Sequence, residues 1–235
     1  MDVEPSIAII GHLIGVPARA NILSALMDGR ALTATELSYR AGVSPQTTSS
    51  HLAKLVDAEL LAAFQQGRHR YYKLAGPQIA EALEPLTAIV AHKPVPKRGQ
   101  PSTPEDLRPA RLCYDHLAGR LGVALADALQ AGDYLVSDKR DFVVSEAGET
   151  FFLELGIDMA ALRKQRRLFA RQCIDWSERR PHLGGALGAA LAARFLKRRW
   201  ISRQPQGRRV RLTKSGRQAL EALLPGIALE EKVAA

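Results

Sequence analysis

The second half of the chain repeats itself, and this self-similarity restricts the fold more than any other feature. His116-Leu-Ala-Gly-Arg-Leu-Gly-Val-Ala-Leu-Ala126 aligns with His182-Leu-Gly-Gly-Ala-Leu-Gly-Ala-Ala-Leu-Ala192, and Phe142-Val-Val-Ser145-x-x-Gly148 matches Val210-Arg-Leu-Thr213-x-x-Gly216. Upstream, Cys113-Tyr-Asp115 resembles Cys173-Ile-Asp175. Each copy reads as a helix, a hairpin, then a helix opened by Ser/Thr-x-x-Gly, which is a reduced winged unit. Two copies indicate duplication, since a solenoid would need more. The copies are assigned to residues 110–160 and 161–235, the second being strongly basic.

Upstream of the repeat, residues 93–109 hold Pro94, Pro96, Pro101, Pro104 and Pro109. Proline removes a backbone donor and biases its predecessor toward extended geometry, so this is a linker. It sets off an N-terminal domain at residues 1–92, where the helical period is clear. Ile7, Ile10, Leu13 and Ile14 mark one helix, and Pro17 opens a second that buries Ile22, Leu23 and Leu26 before Gly29. Thr33-x-x-Glu36 is a capping box for a third, stopped by Gly42. Ser44 caps a fourth with Pro45 in its first turn and Leu52, Leu55 and Val56 inward. Residues 61–65 and 69–74 flank Gln66-Gly67-Arg68 as a β-hairpin, and a last helix runs from about Gln78 to Val90. The expected fold is mainly α with short β-hairpins: a winged helix-turn-helix domain, then a duplicated winged-helix-like region.

In that frame the fourth helix offers Gln46, Thr47, Thr48, Ser49 and His51, short polar side chains suited to base edges in a major groove. Ser44, Lys54 and the wing-tip residues Arg68, His69 and Arg70 are placed to meet phosphates or the neighbouring minor groove. An exposed Gln-Thr-Thr-Ser-Ser row beside a basic wing has no packing purpose. Ser44-Pro-Gln-Thr-Thr-Ser-Ser-His51-Leu52-x-x-Leu55-x-x-Ala58-x-Leu60-Leu61, followed by Gly67-Arg68-x-x-Tyr71-Tyr72-x-Leu74, resembles the ArsR/SmtB family of bacterial repressors over about residues 7–92. The resemblance implies a homodimer, paired through the first and last helices of the domain, which binds a double-stranded DNA operator and leaves it when an effector binds. Metal-sensing members carry a cysteine cluster after Glu-Leu on the third helix, where this chain has Ser38 and Tyr39 after Glu36-Leu37. The last helix offers only Glu81, Glu84 and His92 in place of the family's paired Asp/His ligands.

Charge points to a second site. The chain carries 33 Lys and Arg against 24 Asp and Glu, a net +9, which favours a polyanionic partner. Residues 1–92 are nevertheless net −1, whereas residues 161–220 hold seventeen basic and two acidic side chains. Arg163, Lys164, Arg166 and Arg167, continuing to Arg171, read as a run along a helix. Arg198 and Arg199 end another, before a hairpin with Arg208 and Arg209. This block reads as a second DNA-backbone contact, with a solvated surface or a pocket for an anionic effector as alternatives. It also admits a different function, an RNA-binding or ribosome-associated protein. Trp176 and Trp200 read as core.

Cys113 and Cys173 hold equivalent positions, each with an aspartate two residues on (Asp115, Asp175) and a histidine downstream (His116, His182). A thiolate and an imidazole three residues apart on one helical face would ligate zinc or another soft cation, and a reactive thiol would serve as a redox sensor. Against both stands the reading of buried apolar cysteines and packing histidines, since Cys and His are three positions apart in one copy and nine in the other. No metal or cofactor is assigned; a metal or small-molecule effector stays open. No catalytic constellation is visible, so no enzyme is expected. With two cysteines and no apolar run near 18 residues, the chain reads as cytoplasmic, with no membrane partner.

Overall fold

A computed structural model describes residues 7–89, 107–205 and 207–229. The proline-rich segment 93–109 lies almost wholly outside the described residues, as does His92. The chain forms two compact units that divide between Ala80 and Glu81, earlier than the expected boundary at residue 92.

The N-terminal unit runs α1 (Ile7–Ile14), α2 (Pro17–Ala25), β1 (Leu32–Thr33), α3 (Ala34–Ala41), α4 (Pro45–Asp57), β2 (Leu61–Gln66), β3 (His69–Leu74) and into α5 (Pro77–Ile89). Its local signals do what their chemistry requires. Thr33 and Glu36 make both bonds of the capping box, and Gly42 ends α3 at φ 68°, a left-handed conformation that costs glycine nothing. Ile22, Leu23, Leu26, Leu37, Leu52 and Leu55 fill the core, each almost fully buried. The short β1, which the sequence did not suggest, adds an edge to the wing in the order β1-β3-β2. Arg19 is buried and donates to the carbonyls of Leu13 (2.6 Å) and His12 (2.5 Å), satisfying the C-terminal end of α1. Among the described residues no single helix is long and apolar enough to cross a membrane.

The C-terminal unit runs β4 (Arg111–Cys113), β5 (His116–Ala118), α6 (Gly119–Ala131), β6 (Leu135–Asp138), β7 (Asp141–Val144), α7 (Glu146–Glu154), α8 (Met159–Arg163), β8 (Arg171–Ile174), β9 (Pro181–Gly184), α9 (Gly185–Lys197), β10 (Ile201–Arg203), β11 (Val210–Leu212) and α10 (Lys214–Leu223). The duplication is real, but each copy opens with a hairpin that the sequence reading lacked: hairpin, helix, hairpin, helix. Equivalent bonds recur in both copies. Ser145 accepts from the Gly148 amide at 2.9 Å and Thr213 from the Gly216 amide at 3.0 Å, each capping a helix. Gly119 and Gly185 enter α6 and α9 at φ 75° and 73°. A Cβ on either would meet a backbone carbonyl, at 2.5 Å from Arg108 O or 2.6 Å from Leu168 O, so both positions require glycine.

The copies are interleaved instead of standing side by side. The second hairpin of copy one joins the first hairpin of copy two, with Phe142 N–H donating to Ala170 O (2.7 Å) and Gln172 N–H to Arg140 O (3.0 Å). The reciprocal exchange joins β11 to β4, through Val210 N–H to Ala110 O (3.1 Å) and Leu112 N–H to Arg208 O (2.7 Å). One apolar core draws on both copies, with Leu121, Leu125, Leu129, Phe142 and Phe152 from the first and Leu187, Leu191, Phe195, Ile201 and Val210 from the second. The copies assigned to residues 110–160 and 161–235 thus share one folded unit.

Candidate nucleic-acid interface and a buried Cys/His cluster

The N-terminal half of α4 presents an exposed polar surface. Ser44 Oγ accepts from the Thr47 amide at 3.2 Å and lies 2.8 Å from Thr47 Oγ1, fixing the first turn. Gln46, Thr47, Ser49 and Lys54 are exposed, together with Ser50, which the sequence reading passed over. Thr48 departs from expectation. It is fully buried and its Oγ1 donates to Ser44 O at 3.0 Å, because positions 48, 52 and 55 share the core face with Leu52 and Leu55. It cannot read a base. Ser49 Oγ donates to Pro45 O at 3.0 Å yet stays accessible. His51 is half-buried; burial lowers its pKa below 6.5, with Arg19 and Lys54 adding to the shift, which favours the neutral ring.

The wing is a regular antiparallel hairpin with Gln66 opposite His69 and Gly67 turning at φ 58°. Arg68, His69 and Arg70 are exposed at its tip. Phe64 stacks on Tyr71 with ring centroids 5.8 Å apart, and the Arg70 guanidinium sits 5.5 Å from the Tyr72 ring, which stiffens the strands beneath the tip.

The basic block of the C-terminal unit is arranged differently from its expected form. α8 ends at Arg163, and Arg171 begins β8, so residues 163–171 do not run along a helix. Much of the charge is matched internally. Arg163 pairs with Glu149, Arg167 with Asp115 (2.6 Å), Arg171 with Glu81 (3.0 Å) and Arg208 with Glu84 (2.8 Å). Arg198 donates to Leu155 O at 3.2 Å, and Arg209 lies in a backbone bridge to Arg111. Lys164, Arg166 and Arg199 are exposed. A surface of this kind is a set of ion pairs around a fold, not a bare cationic stripe.

The six sensor candidates come together at the centre of the C-terminal unit. Cys113 faces His116 as cross-strand partners in the β4–β5 hairpin, and Cys173 faces His182 in β8–β9. The expectation of a helical face is thus corrected. The unequal Cys to His separations, which argued against equivalent geometry, differ only in hairpin loop length. All four are buried, and one ligand atom from each lies within 4.8 Å of every other. Asp115 Oδ1 is 3.3 Å from His116 Nδ1, and Asp175 Oδ2 is 3.8 Å from His182 Nδ1. A hydrogen bond to Cys173, then burial, raise the Cys113 thiol well above its usual range, which disfavours a reactive-thiol role. The sequence reading missed Arg111. Fully buried, it donates to Asp175 (2.8 Å) and Glu84 (3.4 Å), and only its equivalence to Arg171 in the repeat could have marked it.

The comparisons with known proteins find helix-turn-helix relatives. A family of helix-turn-helix domains matches residues 15–62. The "Uncharacterized HTH-type transcriptional regulator YdfF" of Bacillus subtilis (strain 168) is 45% identical over 218 residues, 93% of this chain and 96% of its own length. The HTH-type transcriptional regulator CmtR of Mycobacterium tuberculosis (strain ATCC 25618 / H37Rv) is 33% identical over 87 residues, 37% of this chain and 73% of its own. An NMR structure of the cadmium metal-sensor CMTR from Mycobacterium tuberculosis, 32% identical, superposes on 42% of this chain and 99% of its own with a TM-score of 0.32. The family model and the curated relatives lead to one conclusion: this chain belongs to the HTH-type transcriptional regulators, with an N-terminal unit of the ArsR/SmtB type.

Proposed function

We propose that the protein is a homodimeric repressor that binds a double-stranded operator through α4 and the β2–β3 wing and is released by an effector. The observation that carries the reading is the exposed polar face of α4, with Gln46, Thr47 and Ser49 accessible while Thr48, Leu52 and Leu55 hold the helix to its core. Gln46 and Ser49 meet base edges; Ser44, Lys54, Arg68 and Arg70 meet phosphates. Support for a second copy comes from α1, where Ile7, Ile9 and Ile10 are 88%, 62% and 44% exposed, an apolar face too large for a solvated helix. A dimer places two recognition helices about one turn of DNA apart. Fluorescence anisotropy on the gene's own upstream DNA tests this. Gln46→Ala should cost about 1–3 kcal/mol on the operator and relax preference at one position, while Arg68→Ala weakens all sequences alike and lowers the salt slope. Unchanged operator binding in both variants would refute the assignment.

A further inference from the structure

The cluster at the centre of the C-terminal unit carries a further conclusion, independent of the DNA-binding reading. Cys113, His116, Cys173 and His182 are all buried, and their donor atoms lie within 4.8 Å of one another. A tetrahedral ion with bonds of about 2.3 Å to sulfur and about 2.0–2.1 Å to nitrogen has ligand-to-ligand edges of roughly 3.3–3.8 Å. The cluster is therefore already near the size of one coordination shell, and too tight for a two-iron cluster, which would stand between the cysteine pair and the histidine pair.

The imidazoles are the decisive observation. His116 and His182 are 2% and 0% exposed, with their rings 5.1 Å apart. Among the described residues His116 Nε2, His182 Nδ1 and His182 Nε2 are buried with no hydrogen-bond partner. Buried ring nitrogens are ordinarily satisfied, and unpartnered nitrogens on both rings beside two buried thiols call for an acceptor of lone pairs. Behind them stand the two aspartates. Asp115 Oδ1 lies 3.3 Å from His116 Nδ1, which assigns the proton to Nδ1 and turns Nε2 inward. Asp175 takes the corresponding position behind His182. Each carboxylate is itself held by an arginine, Asp115 by Arg167 at 2.6 Å and Asp175 by Arg111 at 2.8 Å. The glycines leave the room required. A Cβ on Gly184 would stand 3.2 Å from His116 Nε2, and one on Gly188 would stand 3.2 Å from His116 Cβ.

We propose that Cys113, His116, Cys173 and His182 form a closed four-coordinate site for one soft divalent cation, Zn2+ by its donor set, that fastens the two repeats to each other. Two thiolates and two imidazoles select Zn2+ over Mg2+ and Ca2+, which require oxygen ligands. Each repeat supplies one cysteine and one histidine, so loading the site joins the β4–β5 hairpin to the β8–β9 hairpin. With four protein ligands no position is left for substrate, which makes the ion structural. On binding, each thiol loses its proton to solvent and the imidazoles bind through neutral nitrogen. The site is neither of the N-terminal positions at which the metal-sensing members hold their ligands.

Elemental analysis of the full-length protein, purified under reducing conditions, should find one zinc per chain. Stripping with a strong chelator should lower the thermal midpoint of the C-terminal unit by several degrees, and Zn2+ alone should restore it. Co2+ in the stripped protein should give the intense visible bands of tetrahedral coordination with a near-ultraviolet thiolate transition, lost in Cys113→Ser and His182→Gln. If those variants do not fold, the stripped and reloaded wild-type protein decides the question. Folded, reduced wild-type protein that takes up no stoichiometric zinc, or a six-coordinate Co2+ spectrum, would overturn the proposal. So would a Cys113–Cys173 disulfide in the freshly isolated protein.

Discussion

Replacing Arg111 with methionine removes a fully buried guanidinium of the C-terminal unit while keeping most of its volume. Its Nη2 lies 2.8 Å from Asp175 Oδ2 and 3.4 Å from Glu84 Oε1, and its Nη1 donates to Leu107 O and Ser177 Oγ, both at 3.2 Å. The guanidinium also rests 4.6 Å from the centre of the Trp176 ring. Removing one partner from a buried ion pair costs about 3–5 kcal/mol, because the charge left behind has no water to return to. Here the loss is cushioned. Glu84 keeps Arg208 at 2.8 Å, and Asp175 keeps the Gly119 amide at 2.6 Å and the Ser177 hydroxyl at 2.8 Å, so the lower end, about 3 kcal/mol, is expected. Trp176 and Trp200, the chain's two tryptophans, both lie in this unit, so tryptophan fluorescence in a urea titration reports on it selectively. With a slope of about 1–3 kcal/mol per molar urea, the midpoint should fall by roughly 1–3 M. Arg180→Met, which breaks a pair whose side chains are 59% and 41% exposed, serves as the control and should cost under about 1 kcal/mol. If the two variants shift the midpoint equally, the burial argument fails.

Three further outcomes are expected. Gly188→Ala should destabilise by about 1–3 kcal/mol in the same titration, since its Cβ would sit 2.2 Å from Leu183 O, although alanine normally strengthens a helix interior; a stabilised variant would contradict the packing. Ser145→Ala and Thr213→Ala should each cost about 1 kcal/mol as lost helix caps, and calorimetry showing unequal effects would show that the two copies are not energetically equivalent. Burial raises the pKa of Glu84, but Arg208 and Arg111 outweigh it and hold the group below its usual 4.5. A depressed folded-state value gives stability that is full above the unfolded value and is lost as pH falls through the folded one. The urea midpoint should therefore drop below about pH 4.5, and Glu84→Gln should flatten that slope.

How much of this was legible depends on how local each signal is. The helices of the N-terminal unit follow from neighbours in sequence: Thr33 with Glu36, Pro45 after Ser44, Gly42 after Ala41. Thr48 carries a hydroxyl suited to a base edge, but its i, i+4, i+7 relation to Leu52 and Leu55 decides its place and puts it inside. The hairpins β4–β5 and β8–β9 escaped because strands as short as Arg111–Cys113, buried along their length, show no alternation. For the same reason the distance from Cys to His was measured along a helix, where three and nine positions differ, and not across a hairpin, where both pairs are opposite neighbours. Arg111 and Glu84 are residue types that composition assigns to the surface, and only long-range pairing accounts for them inside. The basic block was visible as charge, but its partners Glu149, Asp115, Glu81 and Glu84 lie far from it in sequence.

The exchange of hairpins between the copies bears on how the protein is made. β4 emerges from the ribosome early, yet its edge is closed by the segment leading into β11, where Arg209 is bridged to Arg111 almost a hundred positions back along the chain. Bringing such distant segments together costs chain entropy before any contact repays it, so the first repeat waits for the second and the unit forms late and as a whole. A chain truncated before Ile201 would hold nearly all of the conspicuous repeat and still expose an unpaired edge beside buried charge, a template for pairing with another copy.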